Sequence, residues 1–243
     1  MVKIRLDEFL LKERFAPNLE KSRAIIRAGE VFIDEVVSDK PGQLIQPDSN
    51  IRVKDRCPYV SRGGLKLKKG LSFFAISPAG KICIDIGAST GGFTDCLLQH
   101  NATKVYAVDV AYGQLAWKIR QDERVVVLER FNARNIKPAD LNEAVDLAVI
   151  DASFISITKL IPPLLSLFSD AVTILTLIKP QFELPRDKIT SGGVVRDSDL
   201  HLEARKKITL FAEQVGLKSR GSVESPILGP KGNKEFLMLL TNR

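Results

Sequence analysis

From residue 81 to the C-terminus, short apolar runs alternate with stretches whose apolar residues recur at helical spacing. Such alternation predicts strands joined by crossover helices, and therefore a mostly parallel sheet covered on both faces. The predicted strands are 82–86, 104–109, 125–128, 147–151, 172–178, 217–223 and 236–240, and the predicted helices lie near 92–100, 113–120, 137–143, 156–168 and 198–215.

The first 54 residues follow the pattern of a small α+β unit. An apolar stripe through Leu6, Phe9 and Leu10 predicts one helix. Asn18 is a suitable cap for a second helix that runs to about residue 28 and stops at Gly29. Short strands are predicted at 31–33, 43–45 and 51–53, residues 55–62 read as a linker, and residues 63–76 return to helical spacing.

Charge is distributed unevenly along the chain. The 36 Lys and Arg exceed the 29 Asp and Glu by a formal net charge of +7. Residues 1–70 hold 15 of these basic residues against 10 acidic ones. Because Lys and Arg displace counterions from phosphates, the excess indicates either a polyanion partner for the N-terminal part or an ordinary basic surface.

The most specific local signal is a buried strand pattern that leads into the glycine-rich turn GASTGG at 87–92 and then into a helix. Glycines allow positive φ, and a helix N-terminus offers unpaired N–H groups to an anion. An NAD-type turn would read G-x-G-x-x-G, and a P-loop would need G-K-[ST]. The turn GASTGG matches neither motif. Asp85 before the turn and Asp109 at the end of the next strand instead favour S-adenosylmethionine. Asp85 would bind its ammonium, directly or through water, and Asp109 its ribose hydroxyls.

The same turn also matches G-x-S-x-G through Ser89, which is the nucleophile elbow of α/β-hydrolases, and Asp151 and His201 follow in the required chain order. However, this turn follows the first strand of the predicted sheet, and no His-Gly-Gly segment precedes it. His201 lies in a charged helical pattern, where an exposed histidine is the ordinary expectation. A hydrolase is therefore the weaker hypothesis.

Four polar residues lie where a parallel sheet binds its ligands. Asp151 ends the fourth strand, Lys179 ends the fifth, Glu235 begins the last, and Lys66 lies on the helix that enters the domain. Because ligands bind beyond the carboxyl ends of such strands, we expect Asp151 and Lys179 to meet beside the cofactor. A partly desolvated lysine can act as a general base toward a hydroxyl, whereas the alternative is a structural ion pair.

Other classes of site are disfavoured by the sequence. Cys57, Cys83 and Cys96 form no C-x-x-C motif, which argues against a zinc site and a disulfide framework and fits a reducing compartment. The N-terminus lacks the apolar segment of a signal peptide, and the most apolar stretch, 161–178, contains Pro162, Pro163 and Asp170. We therefore expect a cytoplasmic protein with no metal and no membrane partner.

The segment RLDEFLLKERFAPNLEKSRAIIRAGEVFIDEVVSDKPGQLI, residues 5–45, resembles the RNA-binding domain named after ribosomal protein S4. In that domain the second helix and the following turn present basic residues to structured RNA. The resemblance implies RNA contacts for Arg5, Lys21, Ser22, Arg23 and Arg27, and we expect Arg62 to bind RNA as well.

The chain as a whole resembles the TlyA, or hemolysin A-like, branch of the FtsJ-like RNA ribose 2′-O-methyltransferases. The matching segments are SRGGLKL (61–67), DIGASTGGFTDCLLQ (85–99), VDVAYGQLAWKIR (108–120), VIDASFIS (149–156), LIKPQFE (177–183), GGVVRD (192–197) and GPKGNKEF (229–236). The resemblance implies a Rossmann-like class I methyltransferase sheet that ends in an antiparallel hairpin, with a small N-terminal α+β RNA-binding domain. The implied boundaries are 1–56 for the RNA-binding domain, 57–62 for the linker and 63–243 for the methyltransferase domain.

The resemblance also implies an activity, namely methylation of cytidine riboses in ribosomal RNA or ribosomal subunits. By position, Lys179 would be the base, assisted by Asp151, Lys66 and Glu235. S-adenosylmethionine would be bound by Asp85, Gly87, Ala88, Ser89, Thr90, Gly91, Gly92, Phe93, Asp109, Val110, Tyr112, Asn132 and Asp151.

Some residues depart from the family pattern or have no assigned contact. Phe131 stands where a small polar residue is expected, and the loop 184–191 matches poorly. Phe154 is expected at the site because it adjoins Asp151. We expect Tyr112 to line the adenine pocket and Trp117 to pack against the sheet.

Other activities stay open or are disfavoured. Methylation of exocyclic amines usually requires [DN]-P-P-[YF] where this chain reads Asp-Ala-Ser-Phe at 151–154, and carbon-5 methylation requires a nucleophilic cysteine, whereas Cys83 and Cys96 are expected to be buried. An idle RNA-binding assembly factor and a pore-forming hemolysin are the remaining alternatives.

Overall fold

A computed structural model of the chain describes residues 3–54 and 57–243. The chain divides into two compact units, residues 1–56 and 57–243. The predicted end of the first domain at residue 56, and the first two residues of the 55–62 segment, lie outside the described residues.

The first unit combines two helices with two small sheets. The helices are α1 Leu6–Lys12 and α2 Leu19–Arg27, and the strands are β1 Ile4–Arg5, β2 Val31–Ile33, β3 Val36–Ser38, β4 Leu44–Ile45 and β5 Ile51–Val53. β1 pairs antiparallel with β4, and β2 lies between β3 and β5. Asn18 caps α2 as predicted, since its side chain accepts the Lys21 backbone N–H at 2.8 Å. Apolar residues of both helices pack with Val31 to form the core of the unit.

Strand β3 was not expected from the sequence. It forms a hairpin with β2 through Asp34 and Glu35, which have φ values of 48° and 65°. Two successive left-handed residues are the requirement of a type I′ turn, and Asn-Gly is its usual signal. The Asp-Glu pair at this turn therefore concealed the hairpin.

The second unit is built on one seven-stranded sheet. Its strands are β6 Ile82–Ile86, β7 Lys104–Val108, β8 Val125–Leu128, β9 Leu147–Ile150, β10 Thr173–Ile178, β11 Lys218–Glu224 and β12 Phe236–Thr241. The order across the sheet is β11-β12-β10-β9-β6-β7-β8. β6 to β10 run parallel, and β12 pairs antiparallel with both β10 and β11. The predicted parallel sheet with an antiparallel terminal hairpin is confirmed.

Helices cover both faces of this sheet. They are α3 Gly63–Phe73, α4 Gly92–Gln99, α5 Trp117–Arg120, α6 Ile161–Leu165, α7 Pro180–Glu183 and α8 Ser198–Gln214. The apolar layer on one face includes residues of α6 and α8, and the layer on the other face includes residues of α3 and α4. The carboxyl ends of β6, β7, β9 and β10 meet at one edge of the sheet.

Three predicted helices are shorter in the structure. The one near 137–143 is a single 3-10 turn, Pro138–Asp140. The one at 156–168 becomes a 3-10 turn, Ile157–Lys159, followed by α6, because Pro162 and Pro163 fit only the first turn of a helix.

The third shortened helix was predicted at 113–120. It begins only at Trp117, since the chain before it runs along the glycine turn, where the Ala116 N–H donates to the Thr90 carbonyl at 3.2 Å. The prediction that Trp117 packs against the sheet is wrong. Ile119 takes the buried position of this short helix, and Trp117 is 69% exposed.

Candidate active site

The glycine turn after β6 brings the backbone of two strands together. Gly87 has φ +86°, and a Cβ at this position would lie 2.8 Å from the Asp151 carbonyl oxygen. Gly91 has φ +91°, and a Cβ there would lie 2.8 Å from Leu115. Both positions therefore require glycine, because a side chain would separate the turn from the segments that pack on it.

Asp109, which follows β7, ties this turn to the neighbouring loop. Its Oδ2 accepts the Ser89 N–H and its Oδ1 accepts the Ala111 N–H, each at 2.8 Å. A carboxylate oxygen has a further lone pair after one such bond, so Asp109 can still accept hydroxyl donors from a ligand.

Asp85 lies beneath the turn, fully buried in β6. Its Oδ2 accepts the Thr94 hydroxyl at 2.7 Å, whereas its Oδ1 has no hydrogen-bond partner among the described residues. Burial, reinforced by the charges of Asp151 and Asp109 and opposed by the Thr94 bonds, raises the pKa of Asp85 to about 7. A buried, unsatisfied carboxylate of this kind fits a ligand that brings a positive charge.

A large cavity of about 1250 Å³ opens beyond the carboxyl ends of β6, β7 and β9. Its lining includes six residues that the sequence assigned to the cofactor, Gly87, Ser89, Asp109, Val110, Asn132 and Asp151. Phe131 and Phe154 also line it. Tyr112 does not line this cavity: it is 67% exposed, and the Arg130 guanidinium stacks on its ring at 4.4 Å. The adenine contact of Tyr112 therefore stays a prediction.

Lys179, at the end of β10, reaches across to the segment that follows β9. Its Nζ lies 2.6 Å from Asp151 Oδ1 and donates to Ser153 Oγ at 2.9 Å. The Lys179 side chain is only 8% exposed. The expected meeting of Asp151 and Lys179 is present, and Ser153 is a partner that the sequence reasoning did not identify.

Lys66, on α3, forms a second buried ion pair. Its Nζ donates to Glu235 Oε2 at 2.6 Å, although the two residues are 169 positions apart. A Cβ on Gly229 would lie 2.0 Å from Glu235 Oε1, so glycine at 229 gives this carboxylate its space.

Both ion pairs contribute to the wall of a second cavity of about 550 Å³, which is lined by Lys66, Asp151 and Lys179. Predicted cofactor residues Ala88, Thr90, Gly92 and Phe93 line this cavity rather than the large one, as does the predicted RNA-facing Arg62. Both cavities share Gly87, Ser89, Asp151 and Ser153. A lysine and a carboxylate at this junction can orient a hydroxyl in one cavity and remove its proton while an electrophile lies in the other.

The loop after β9 presents an aromatic ring to the large cavity. Phe154 is 90% exposed with φ +64°, and its ring lies 5.2 Å from that of Phe182. Beneath it, the buried Glu183 accepts the Ser156 hydroxyl at 2.5 Å and the Ile157 N–H at 2.9 Å. Glu183 was missed in the sequence because a glutamate in a short helical segment carries no signal of burial.

The hydrolase hypothesis finds no support in this geometry. The Ser89 hydroxyl donates to Gln114 at 3.2 Å. His201 bonds through Nε2 to the Val195 carbonyl at 2.8 Å and packs on Phe236. His201 is also buried rather than exposed, which corrects the expectation, because α8 turns this residue toward the sheet.

The predicted RNA-facing residues of the first unit fall into two groups. Lys21 and Arg27 are exposed, and Arg5 and Arg23 are partly exposed. Ser22 is fully buried, and its hydroxyl donates to the Asn18 carbonyl at 3.2 Å. Its predicted RNA contact is corrected, since it faces the interior of the unit.

Residues 3–54 and 57–243 contain no group of three or more His, Cys, Asp or Glu that could hold a metal ion. Across the same ranges, none of the helices has the length and apolar character needed to cross a membrane.

Two family models match the sequence of this chain, and several known proteins are similar to it over most of its length. The FtsJ-like methyltransferase model matches residues 59–242, and the S4 domain model matches residues 4–51. YqxC of Bacillus subtilis (strain 168), whose name describes an rRNA methyltransferase, is 47% identical over 98% of this chain and 85% of its own length.

Two further relatives extend the comparison. The 16S/23S rRNA (cytidine-2'-O)-methyltransferase TlyA of Mycobacterium tuberculosis (strain ATCC 25618 / H37Rv) is 41% identical over 97% of this chain and 89% of its own. A solved structure described as a hemolysin from Streptococcus thermophilus is 42% identical, with a TM-score of 0.76 over 99% of this chain and 89% of that one.

Proposed function

Because the chain belongs to the FtsJ-like methyltransferase family and carries an S4 domain, we propose that it methylates the ribose 2′-hydroxyl of a cytidine in ribosomal RNA, using S-adenosylmethionine. RNA binding is assigned to residues 1–56 and catalysis to residues 63–243, joined by the linker 57–62. Ribosomes lie in the cytoplasm, so the reaction is placed there.

The observation that carries the proposal is the Lys179–Asp151 pair at the junction of the two cavities. The large cavity is lined by six of the residues expected for the cofactor, and the second cavity is lined by both lysines together with other residues of the glycine turn. A hydroxyl entering the second cavity would therefore meet Lys179 at the edge of the cofactor site.

The cofactor site fits S-adenosylmethionine in three respects. Asp85 lies beneath the glycine turn and lines neither cavity, but its unsatisfied Oδ1 suits the methionine ammonium, directly or through water. Asp109 retains acceptor capacity for ribose hydroxyls, and Gly87 keeps the backbone free of a side chain. When bound, this cofactor supplies an electrophilic methyl group on a sulfonium.

The chain's own residues handle the hydroxyl and its proton. Lys179 removes the proton of the 2′-hydroxyl as the new O–CH₃ bond forms and the S–CH₃ bond breaks. Asp151 and Ser153 hold the Lys179 amine in place, and Glu235 holds Lys66 on the wall of the second cavity. Orientation of the hydroxyl along the line of displacement supplies a large part of the rate.

The test is methyl transfer from labelled S-adenosylmethionine to undermodified 30S and 50S subunits and to naked rRNA, followed by mapping of 2′-O-methyl groups. Lys179→Ala is expected to lower the rate by at least about 1000-fold, while cofactor affinity measured by calorimetry stays within about threefold. Transfer that persists in Lys179→Ala, or label on a base instead of a ribose, contradicts the proposal.

A matched control lies at the opposite edge of the same sheet. Lys104 begins β7 and forms an ion pair with Glu143, away from both cavities. Lys104→Ala should retain full transfer, which separates loss of the catalytic amine from loss of any lysine–carboxylate pair.

The hemolysin name of the Streptococcus relative suggests a different function for the same fold. Leakage of dye from phosphatidylcholine and phosphatidylglycerol vesicles tests this alternative directly. The proposal predicts no leakage at protein concentrations that saturate methyl transfer.

A further inference from the structure

The first unit contains one buried carboxylate that holds two arginines. Asp7, in the first turn of α1, has no exposed surface. Arg5 donates to both of its oxygens, from Nε to Oδ1 at 3.0 Å and from Nη2 to Oδ2 at 2.9 Å. Arg23 on α2 donates from Nε to Oδ2 at 2.9 Å. A single side chain thus fixes guanidinium groups from two separate elements.

The electrostatics of this cluster leave an excess of positive charge at the surface. The hydrogen bond from Arg5 lowers the pKa of Asp7 to about 2. Arg23 adds to this effect, and burial opposes it. At neutral pH Asp7 and its two guanidinium partners carry a net charge of +1, and the exposed Glu8 carboxylate lies beside Arg5. The carboxylate is buried, whereas the Arg5 and Arg23 side chains are each 43% exposed.

Donor groups remain on both arginines. Within residues 3–54, Arg23 bonds through Nε alone, and Arg5 bonds through Nε and Nη2. A Cβ on Gly42 would lie 3.3 Å from Arg5 Nη1, so the glycine avoids placing a side chain against this group. One acidic competitor is present, because Glu8 Oε1 lies 3.7 Å from Arg5 Nε and is itself exposed.

We propose that Asp7 is a positioning residue that holds Arg5 and Arg23 as a preformed clamp for one phosphodiester group of the RNA backbone. The planar fork of donors on a guanidinium matches two phosphate oxygens, and two forks can bind one phosphate from different sides. Long side chains lose rotamer freedom when they bind, and Asp7 has already restricted that freedom in the free protein. The clamp deepens the proposed function, since it rests on RNA being the substrate.

The alternative is an ion pair that only joins α1 to α2. One arginine would be sufficient for that purpose, and RNA affinity would then follow the net charge of the unit. The two ideas predict opposite signs when the negative charge of Asp7 is removed. Loss of a carboxylate raises the net charge by one, which strengthens nonspecific RNA binding, whereas loss of the clamp weakens binding.

The experiment measures binding of the full-length protein to 16S and 23S rRNA transcribed in vitro, at several salt concentrations and without cofactor. Asp7→Asn is expected to raise the Kd by about 10-fold and to lower the salt dependence by about one phosphate contact. Glu8→Gln is the matched control, because it removes a neighbouring, exposed carboxylate and raises the net charge equally. Glu8→Gln should bind as tightly as the unmodified protein or more tightly.

A second variant keeps the proposal testable if Asp7→Asn disturbs the fold of the first unit. Arg23→Lys preserves the charge but removes the Nε donor and the planar fork, so it should also weaken binding about threefold to 10-fold with an unchanged circular dichroism spectrum. Equal affinities for Asp7→Asn and Glu8→Gln, with both folded, or an unchanged Kd for Arg23→Lys, overturn the clamp. Since no methyl transfer is measured, these outcomes are independent of whether ribose methylation is the reaction.

Discussion

Asp7 in the S4 domain and Asp85 beneath the glycine turn are both fully buried, yet their carboxylates have opposite surroundings. Asp7 accepts bonds from two arginines and from the Glu8 N–H, and the arginines hold its pKa at about 2. Asp85 has one hydroxyl donor and an unsatisfied oxygen, and burial raises its pKa to about 7.

This comparison separates two uses of a buried charge. A carboxylate whose oxygens are saturated by cations of its own chain organises those cations, and it has little capacity left for a ligand. A carboxylate with an empty position in a low-dielectric setting gains free energy when a cationic ligand arrives. We therefore expect substitutions at Asp7 to act on RNA affinity, and substitutions at Asp85 to act on cofactor affinity.

The largest expected effect is on cofactor binding. Asp85→Asn keeps an acceptor for the Thr94 hydroxyl but removes the charge that would pair with the ammonium, so the affinity for S-adenosylmethionine should fall about 1000-fold, roughly 4 kcal/mol. Calorimetric titration with S-adenosylmethionine measures this difference in affinity between the variant and the unmodified protein. Asp146→Asn is the control, because Asp146 accepts the Ile82 N–H at the opposite end of the same strand. Equal affinity in the two variants would abolish the distinction between Asp7 and Asp85.

The next effect is a dependence of stability on pH in the protein without ligand. The folded-state pKa of Asp85 is raised to about 7 from the ordinary aspartate value of 3.8. Its ionisation is therefore favoured in the unfolded state, and its contribution to stability falls as pH rises from about 4 through 7. Asp85→Asn removes this loss, so the stability of this variant relative to the unmodified protein should increase by roughly 2 to 3 kcal/mol between pH 5 and pH 8.

Denaturant unfolding at pH 5, 6, 7 and 8 measures this advantage. The contribution of Asp7 has the opposite sign, since its pKa is lowered: it is present above pH 4 and is lost only as the pH falls toward 2. An advantage of Asp85→Asn that is constant over this range would show that Asp85 does not titrate there.

The smallest effect concerns Glu183, a buried carboxylate whose surroundings are intermediate between those of Asp7 and those of Asp85. It accepts bonds from Ser156 and Ile157 and lies 3.4 Å from Lys207, yet burial still raises its pKa. Glu183→Gln should loosen the loop that carries Phe154 and lower kcat/KM for RNA about fivefold, roughly 1 kcal/mol, with unchanged cofactor affinity.

The control for Glu183 is Glu203→Gln, which removes the α8 partner of the exposed ion pair between Lys188 and Glu203. Steady-state kinetics with varied RNA concentration should show no change for this variant. A Glu183→Gln enzyme with normal kcat/KM for RNA would mean that the loop needs no buried anchor.

Much of the second unit could be predicted from local pattern. The strands recur at short intervals with strongly apolar composition, so their number, their order along the chain and the ends that carry Asp109, Asp151 and Lys179 followed directly. The glycine turn was equally clear, because the demand for positive φ at Gly87 and Gly91 leaves a visible sequence signature.

Contacts between distant segments could not be read in the same way. Nothing near Lys66 indicates that its partner is Glu235, and nothing near Lys179 indicates that Ser153 Oγ accepts a hydrogen bond from the Lys179 Nζ. Ser22 and Trp117 were misplaced for a related reason: the sequence places a residue on a helix, but it does not show which face of that helix another element covers.

The sequence by itself determined the α/β class, the glycine turn and the polar residues that end the strands, because these depend on backbone preferences and on the periodicity of apolar residues within each element. Only the tertiary structure decided the state of each buried charge. Whether a carboxylate is saturated like Asp7 or unsatisfied like Asp85 depends on donors contributed by other segments, and their positions are set by packing of the whole unit.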